Sequence, residues 1–293
     1  MNTTTRQAVG RPSDAQLRDA IDGHLRTIAN TVRHQQLQEA VTHAALQGGK
    51  RIRPLLALRC CALAGSDPMV ALPAGCGFEL IHAFSLVHDD LPALDDDEMR
   101  RGLPTVHKAF GESIGILCGD LLQSLAFETI ASSPHPMEVL LELSRATNAM
   151  IEGQAWDTDG GFPEGLDEAE RLELIHRNKT GALIRGAARA GAIAGGADDS
   201  TLDCVDRWSS AVGLMFQVVD DLLDETQSSE HLGKAAGKDR EAGKLTFPGV
   251  HGLEGARKTV IRLEDVANEA LAGFSEVAAP LRDLTHDLAK RTR

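Results

Sequence analysis

The chain has 293 residues, 42% of them hydrophobic, with 30 Lys and Arg against 43 Asp and Glu and a formal net charge of -13. That balance excludes the basic face of a nucleic-acid binder, and any anionic ligand must be met by local cations or metal ions. Tyr is absent and aromatics make up 3%, while Ala and Leu dominate, so helices are favoured over sheets.

Residues 1–13 lack an apolar core and read as a disordered tail. No Pro/Ser-rich spacer interrupts residues 14–293, which are expected to form one domain. Helical periodicity predicts helices near 14–32, 36–64, 69–91, 113–131, 138–156, 167–195, 202–225, 254–273 and 277–290. Gly65-Ser66-Asp67-Pro68, Ser133-Pro134-His135-Pro136 and Gly160-Gly161-Phe162-Pro163 separate some of them. The polar, Gly/Lys-rich segment 228–247 reads as a long mobile loop, and loops of that length are often functional. No stretch approaches 18 uncharged apolar residues, so no membrane span is expected. The five cysteines are odd in number and form no CxxC, which predicts reduced thiols in a cytoplasmic protein.

Chemistry begins at Gly48-Gly49-Lys50-Arg51-Ile52-Arg53-Pro54. Two glycines let the backbone approach a ligand, while Arg forks and a Lys point charge suit phosphate oxygens. The first acidic run, Asp89-Asp90-Leu91-Pro92-Ala93-Leu94-Asp95-Asp96-Asp97, ends an apolar helix. Pro92 disfavours helix at Leu91, so the chain should bend or end there and bring Asp89 and Asp95 together. Arg100-Arg101-Gly102 comes directly after, as a metal–diphosphate complex would require, although a surface salt-bridge lattice has the same composition. Lys179-Thr180-Gly181 falls within a predicted helix. The second run, Asp220-Asp221-Leu222-Leu223-Asp224, puts Asp220 and Asp224 on one helix face a turn apart, with Asp221 turned away. Like charges at that spacing destabilise a helix unless a cation lies between them, and Mg²⁺ is held by a few carboxylates plus substrate phosphates. A single acidic run is as often solvated surface, but two, each closing an apolar helix, point to the mouth of a pocket. Gly237 to Gly243 is one residue too long for a P-loop and Leu245 stands where Ser or Thr is needed, which rejects a nucleotide site.

These segments in this order resemble the trans-isoprenyl diphosphate synthase (polyprenyl synthetase) family over nearly the whole chain after the tail. The matching motifs are GGKRIRP (48–54), ELIHAFSLVHDDLPALDDDEMRRGLPTVH (79–107), GD (119–120), KTG (179–181), FQVVDDLLD (216–224) and the GK pairs at 233–244. The DDxxxxD spacing with its RRGLPTVH continuation resembles the bacterial farnesyl diphosphate synthases in particular. The resemblance implies an all-α, single-domain bundle of helices around a central apolar cavity. Asp89, Asp90, Asp95, Asp220, Asp221 and Asp224 would hold three Mg²⁺, for which Mn²⁺ can substitute. Arg100, Lys179, Lys234 and Lys244 would grip the allylic diphosphate, with Thr180 and Gln217 beside its reactive end. Lys50, Arg53, His82 and Arg101 would bind isopentenyl diphosphate, and the basic C-terminus (Lys290, Arg291, Arg293) would close over it. Phe84, with Ser85, would limit the growing chain, since an aromatic five residues before the first aspartate accompanies farnesyl products in the family. The family is also expected to be homodimeric.

The implied reaction is ionisation of an allylic diphosphate, attack by the isopentenyl double bond, and proton loss to the departing diphosphate, with no protein base required. The resemblance implies farnesyl diphosphate as the product, with geranylgeranyl or geranyl diphosphate as alternative lengths of the same chemistry, and three readings outside that chemistry compete. Glu79/His82 and Glu173/His176 are both ExxH, as in di-iron carboxylate bundles, but that reading leaves the aspartate runs and basic segments without purpose. A terpene cyclase would mix Asn, Ser and Glu in its second motif and would not need residues 48–54. A catalytically dead partner subunit would lack aspartates that are present here.

Overall fold

The computed structural model describes residues 12–227 and 245–291. The tail expected at 1–13 lies outside them up to residue 11, as do most of the 228–247 loop, with Lys234 and Lys244, and Arg293. The architecture is an all-α bundle whose only sheet among the described residues is a two-stranded hairpin.

Helix α1 (Asp14–Ala29) opens on a capping box: Ser13 Oγ accepts from Gln16 N while the Gln16 side chain accepts from Ser13 N. Leu17, Ile21 and Leu25, one turn apart, are fully buried on its inner face. The helix expected over 36–64 is two helices, α2 (Gln35–Leu46) and α3 (Ile52–Leu63). Gly48, Gly49 and Arg51 all take positive φ, at 85°, 122° and 51°, which no right-handed helix passes through. Pro54 falls in the first turn of α3, where its missing N–H costs nothing.

Next come α4 (Leu72–Asp89), the hairpin β1 (Met99–Arg100) and β2 (Leu103–Pro104), and α5 (Val106–Phe110). They are followed by α6 (Glu112–Ile130), α7 (Pro136–Asp159) and α8 (Glu168–Ile175). The helix expected over 167–195 is interrupted: a π-helical turn (His176–Gly181) joins α8 to α9 (Ala182–Ala194). After α10 (Asp199–Gln227), helix α11 (Phe247–Ala270) begins earlier than the expected residue 254, capped by Thr246 and kinked at Gly252 with φ 71°. Helix α12 (Ala279–Lys290) completes the bundle.

Helices α3 and α9 run through the middle and divide the apolar interior. Leu55, Leu58, Leu183 and Ala187 belong to one body, shared with α1, α2, α4, α6 and α7. Leu56, Cys60, Ile184 and Ala188 belong to the other, shared with α10, α11 and α12. The Ala/Gly composition of α9 serves this closeness: a Cβ on Gly191 would overlap the Ala57 main chain of α3. Among the described residues two helices, Pro68–Asp89 and Glu112–Ile130, reach the length and hydropathy of a membrane span, with mean hydropathies of 1.5 and 1.2. The first of these carries α4, whose apolar sides are occupied by the first interior body.

Candidate active site

Helix α4 ends at Asp89, and the chain turns back through Pro92 so that Asp95 N donates to Asp89 O at 2.8 Å. The bend anticipated from Pro92 is therefore present, and it draws Asp95 to the first aspartate. Burial pushes the Asp89 carboxyl up to about 6; Lys179 and Arg100 oppose the shift, and Asp95 and Asp90 add to it. The Asp89 carboxylate makes no hydrogen bond among the described residues. Asp90 is buried and receives Arg100 Nε at 2.9 Å and Nη2 at 2.6 Å. Arg100 is aimed by the hairpin, whose two-residue turn, Arg101-Gly102, has φ of 54° and 80°. Positive φ at both positions is the type I′ pattern that matches strand twist. An arginine in that conformation is strained, and such strain concentrates at functional sites.

The hairpin locks onto the 48–54 segment. Arg101 Nη1 donates to Gly48 O at 2.7 Å, and a Cβ on Gly49 would lie 2.9 Å from that nitrogen. Arg51 turns inward, giving Nε to Asp22 at 2.7 Å and Nη1 to Glu79 at 2.9 Å. Arg53 makes no hydrogen bond among the described residues, and its Nε is buried without a partner. Burial, with Arg101 nearby and Glu79 opposing, lowers its pKa to about 10. Burial and then Arg53, Arg101, Arg100 and Arg51 hold His82 well below the ordinary histidine value, so its imidazole is neutral. Lys50, Arg53, His82, Arg101 and Glu79 line one cavity of about 440 Å³. A pocket this rich in cations, with a buried guanidinium nitrogen unpaired, calls for a polyanion.

The second acidic run is tied to the first through the π turn. That turn is pressed between α7 and α10 where glycines face it. A Cβ on Gly153 would overlap the Lys179 main chain, and one on Gly213 would lie 3.0 Å from Gly181 Cα. Thr180 Oγ1 donates to Gln217 Oε1 at 2.9 Å, and Gln217 Nε2 donates to Asp221 Oδ1 at 2.9 Å. Asp221, 4% exposed, also accepts from His176 Nε2 at 3.1 Å and Phe247 N at 2.9 Å. It thus joins the π turn, α10 and α11, a place the sequence did not reveal. Asp220 is half-exposed and pairs with Arg291 Nη1 at 3.6 Å. Burial pushes its carboxyl up, Arg291 and Lys50 oppose, and Asp221 adds. Asp224 is exposed one turn further along α10.

A second cavity, about 470 Å³, is lined by the polar Asp89, Lys179, Thr180 and Arg53 and by Phe84, Ser85, Met150 and Leu183. Phe84 meets His88 edge-on, with ring centroids 5.0 Å apart. His88 Nε2 donates to Ile116 O, and its ring fills the space a Cβ on Gly119 would need, which accounts for the glycine of the GD pair. Lys179 Nζ is bonded to Asp157 Oδ2 at 2.6 Å, a partner sequence reading missed.

Among the described residues no three His, Cys, Asp or Glu side chains converge as a self-sufficient metal site. Glu79 and Glu173 of the ExxH pairs are bound to Arg51 and Arg177, which removes the motif basis for a di-iron centre. The donor set at Asp89, Asp95 and Asp220 is all carboxylate oxygen, some of it unpaired. It fits Mg²⁺, which takes one or two carboxylates and completes its shell with water and substrate phosphates.

A family model described as polyprenyl synthetase matches residues 34–279. "Heterodimeric geranylgeranyl pyrophosphate synthase large subunit 2" of Arabidopsis thaliana is 46% identical over 269 residues, covering 88% of this chain and 71% of that protein. "Geranylgeranyl pyrophosphate synthase 4" of the same plant is 45% identical over 266 residues, covering 87% and 71%. Among solved structures, geranylgeranyl pyrophosphate synthetase from Pyrococcus horikoshii superposes with TM-score 0.86 at 30% identity, over 94% of this chain and 98% of that one. An FPP/GFPP synthase from Zymomonas mobilis gives 0.78 at 34% identity, over 94% and 100%.

Proposed function

Since the chain belongs to the polyprenyl synthetase family, we propose that it is a trans-prenyltransferase joining isopentenyl diphosphate to allylic diphosphates, with geranylgeranyl diphosphate as its final product. The single observation that carries the chemistry is the pairing of two unlike sites. The partnerless Arg53 nitrogen sits in a cationic pocket, beside a cavity lined by the unpaired Asp89 carboxylate. The first suits a diphosphate held directly by cations, the second a diphosphate held through metal.

Magnesium bound at Asp89, Asp95 and Asp220, with Asp90 and Asp224 alongside, would supply Lewis-acid neutralisation of the leaving diphosphate. Lys179 and Arg100, joined by Lys234 and Lys244 from outside the described residues, bind that diphosphate directly. Lys50, Arg53, His82 and Arg101 hold isopentenyl diphosphate, and neutral His82 donates a hydrogen bond without adding to the crowding of like charge. Thr180 has given its hydrogen to Gln217. Its oxygen therefore offers lone pairs to the carbon that becomes cationic. Asp221 holds Gln217 in that orientation. Phe84, Met150 and Leu183 give the allylic chain a dry wall that keeps water from the cation. The final proton leaves to the departing diphosphate.

The geranylgeranyl length is supported by the two plant relatives. One observation favours a farnesyl product instead: Phe84, five residues before Asp89, is a buried aromatic in the lining of the cavity that Asp89 also lines. Labelled isopentenyl diphosphate with dimethylallyl, geranyl or farnesyl diphosphate and Mg²⁺, products sized by chromatography, decides between them. No elongation of any primer would end the proposal. Phe84→Ala is expected to shift products longer by one or more isoprene units, and an unchanged distribution would remove Phe84 from length control. Exposed Ile116 and Leu117 on α6 and Leu141 and Ile151 on α7 support a dimer, which light scattering would register as twice 31.3 kDa. All five cysteines are free thiols, as a reducing compartment such as the cytoplasm allows.

A further inference from the structure

Asp157 lies one turn after Gly153 on α7, on the same helix face. That face therefore grips Lys179 twice: the main chain is pressed against Gly153, and the side chain ends on Asp157 Oδ2 at 2.6 Å. The Asp157 side chain is 13% exposed, so it is a largely buried carboxylate committed to this ammonium. Lys179 also lines the cavity that Asp89 lines, within electrostatic reach of it. Left to itself, a lysine in a partly dry cavity pairs with the nearest free carboxylate. A Lys179–Asp89 pair would occupy oxygens that a divalent cation needs.

We propose that Asp157 is a positioning residue that holds Lys179 away from Asp89 in the ligand-free enzyme, leaving Asp89 open to a divalent cation and Lys179 poised for the diphosphate. The inference rests on the prenyl-transfer reading of the site and adds a residue that the acidic motifs do not contain. Asp157 and Asp89 thus divide the labour: one carboxylate takes the lysine, the other takes the metal.

The test is Mn²⁺ binding to the full chain without substrate, followed by electron paramagnetic resonance, which reads the metal site apart from turnover. Asp157→Asn is expected to weaken Mn²⁺ binding about tenfold, the scale on which outer partners of metal ligands act. Adding Lys179→Met to that variant is expected to restore the native affinity, because no ammonium is left to claim Asp89. A double variant as weak as the single one overturns the proposal, since Asp157 would then be a ligand or a scaffold. So does an Asp157→Asn protein that binds Mn²⁺ as the native chain does. Lys179→Met alone, which keeps Asp157 intact, is expected to raise the affinity by no more than a few-fold, since the paired ammonium still reaches Asp89 electrostatically; a gain of about tenfold or more would show that Lys179 already sits on Asp89 and would overturn the proposal independently. A native chain that binds no Mn²⁺ by itself overturns this inference; one that binds none with inorganic pyrophosphate added defeats the prenyl-transfer reading as well, whereas failure of the variants alone leaves that reading intact.

Discussion

Asp89→Asn is expected to lower kcat about 10³-fold, equivalent to about 4 kcal/mol of transition-state stabilisation. Asn keeps the size and shape of the side chain, so the change isolates its charge. Asp89 is a candidate metal ligand whose carboxylate is unpaired among the described residues, half-withdrawn from solvent where a charge is worth more than at the surface. Its carboxyl, pushed up to about 6, gives the effect a pH signature. A cation binds the ionised form and competes with the proton. Above pH 6 the carboxylate is available; below it, the Mg²⁺ concentration for half-maximal rate is expected to rise about tenfold per pH unit. The Asn variant should lose this dependence. A variant within tenfold of native activity, or a magnesium requirement flat from pH 7 to 5, would remove Asp89 from the chemistry.

Gly153→Ala is expected to lower kcat about 100-fold and to destabilise the fold by about 1–3 kcal/mol, though it adds a single methyl group to a helix. The new Cβ would lie 2.7 Å from Lys179 Cα and 2.9 Å from Asn178 C, and main chain cannot rotate aside as a side chain can. The π turn must move, carrying Lys179 and Thr180 with it. Gly23→Ala is the control, because Gly23 lies inside α1 with nothing within 4 Å of its added Cβ. There the better helix propensity of Ala should raise stability by up to about 1 kcal/mol with activity unchanged. Parallel melting curves and rates separate the outcomes; a Gly153→Ala enzyme with native kcat would show that the π turn tolerates displacement.

Much of the site was legible before the fold was known, because its chemistry is written in contiguous residues. Aspartates closing apolar helices, a compact basic segment and paired arginines each declare their purpose through charge that a folded chain would not otherwise crowd together. Pro92 announced the bend that brings Asp95 to Asp89. The break at Gly48–Arg51 was misread as helix because periodicity resumes on either side, and only the positive φ angles show the chain reversing its hand.

What the sequence determined by itself is the all-α class, from its Ala/Leu-rich and aromatic-poor composition, and which residues carry charge at which spacing along each helix, the two carboxylate runs among them. The tertiary structure alone decided how those charges are shared: Asp90 to Arg100, Glu79 to Arg51, Asp157 to Lys179, and Asp221 to three donors. The reason is physical. Periodicity reports which face of an element is dry, but a buried charge takes its partner from whatever other element packs there, and nothing local encodes that choice.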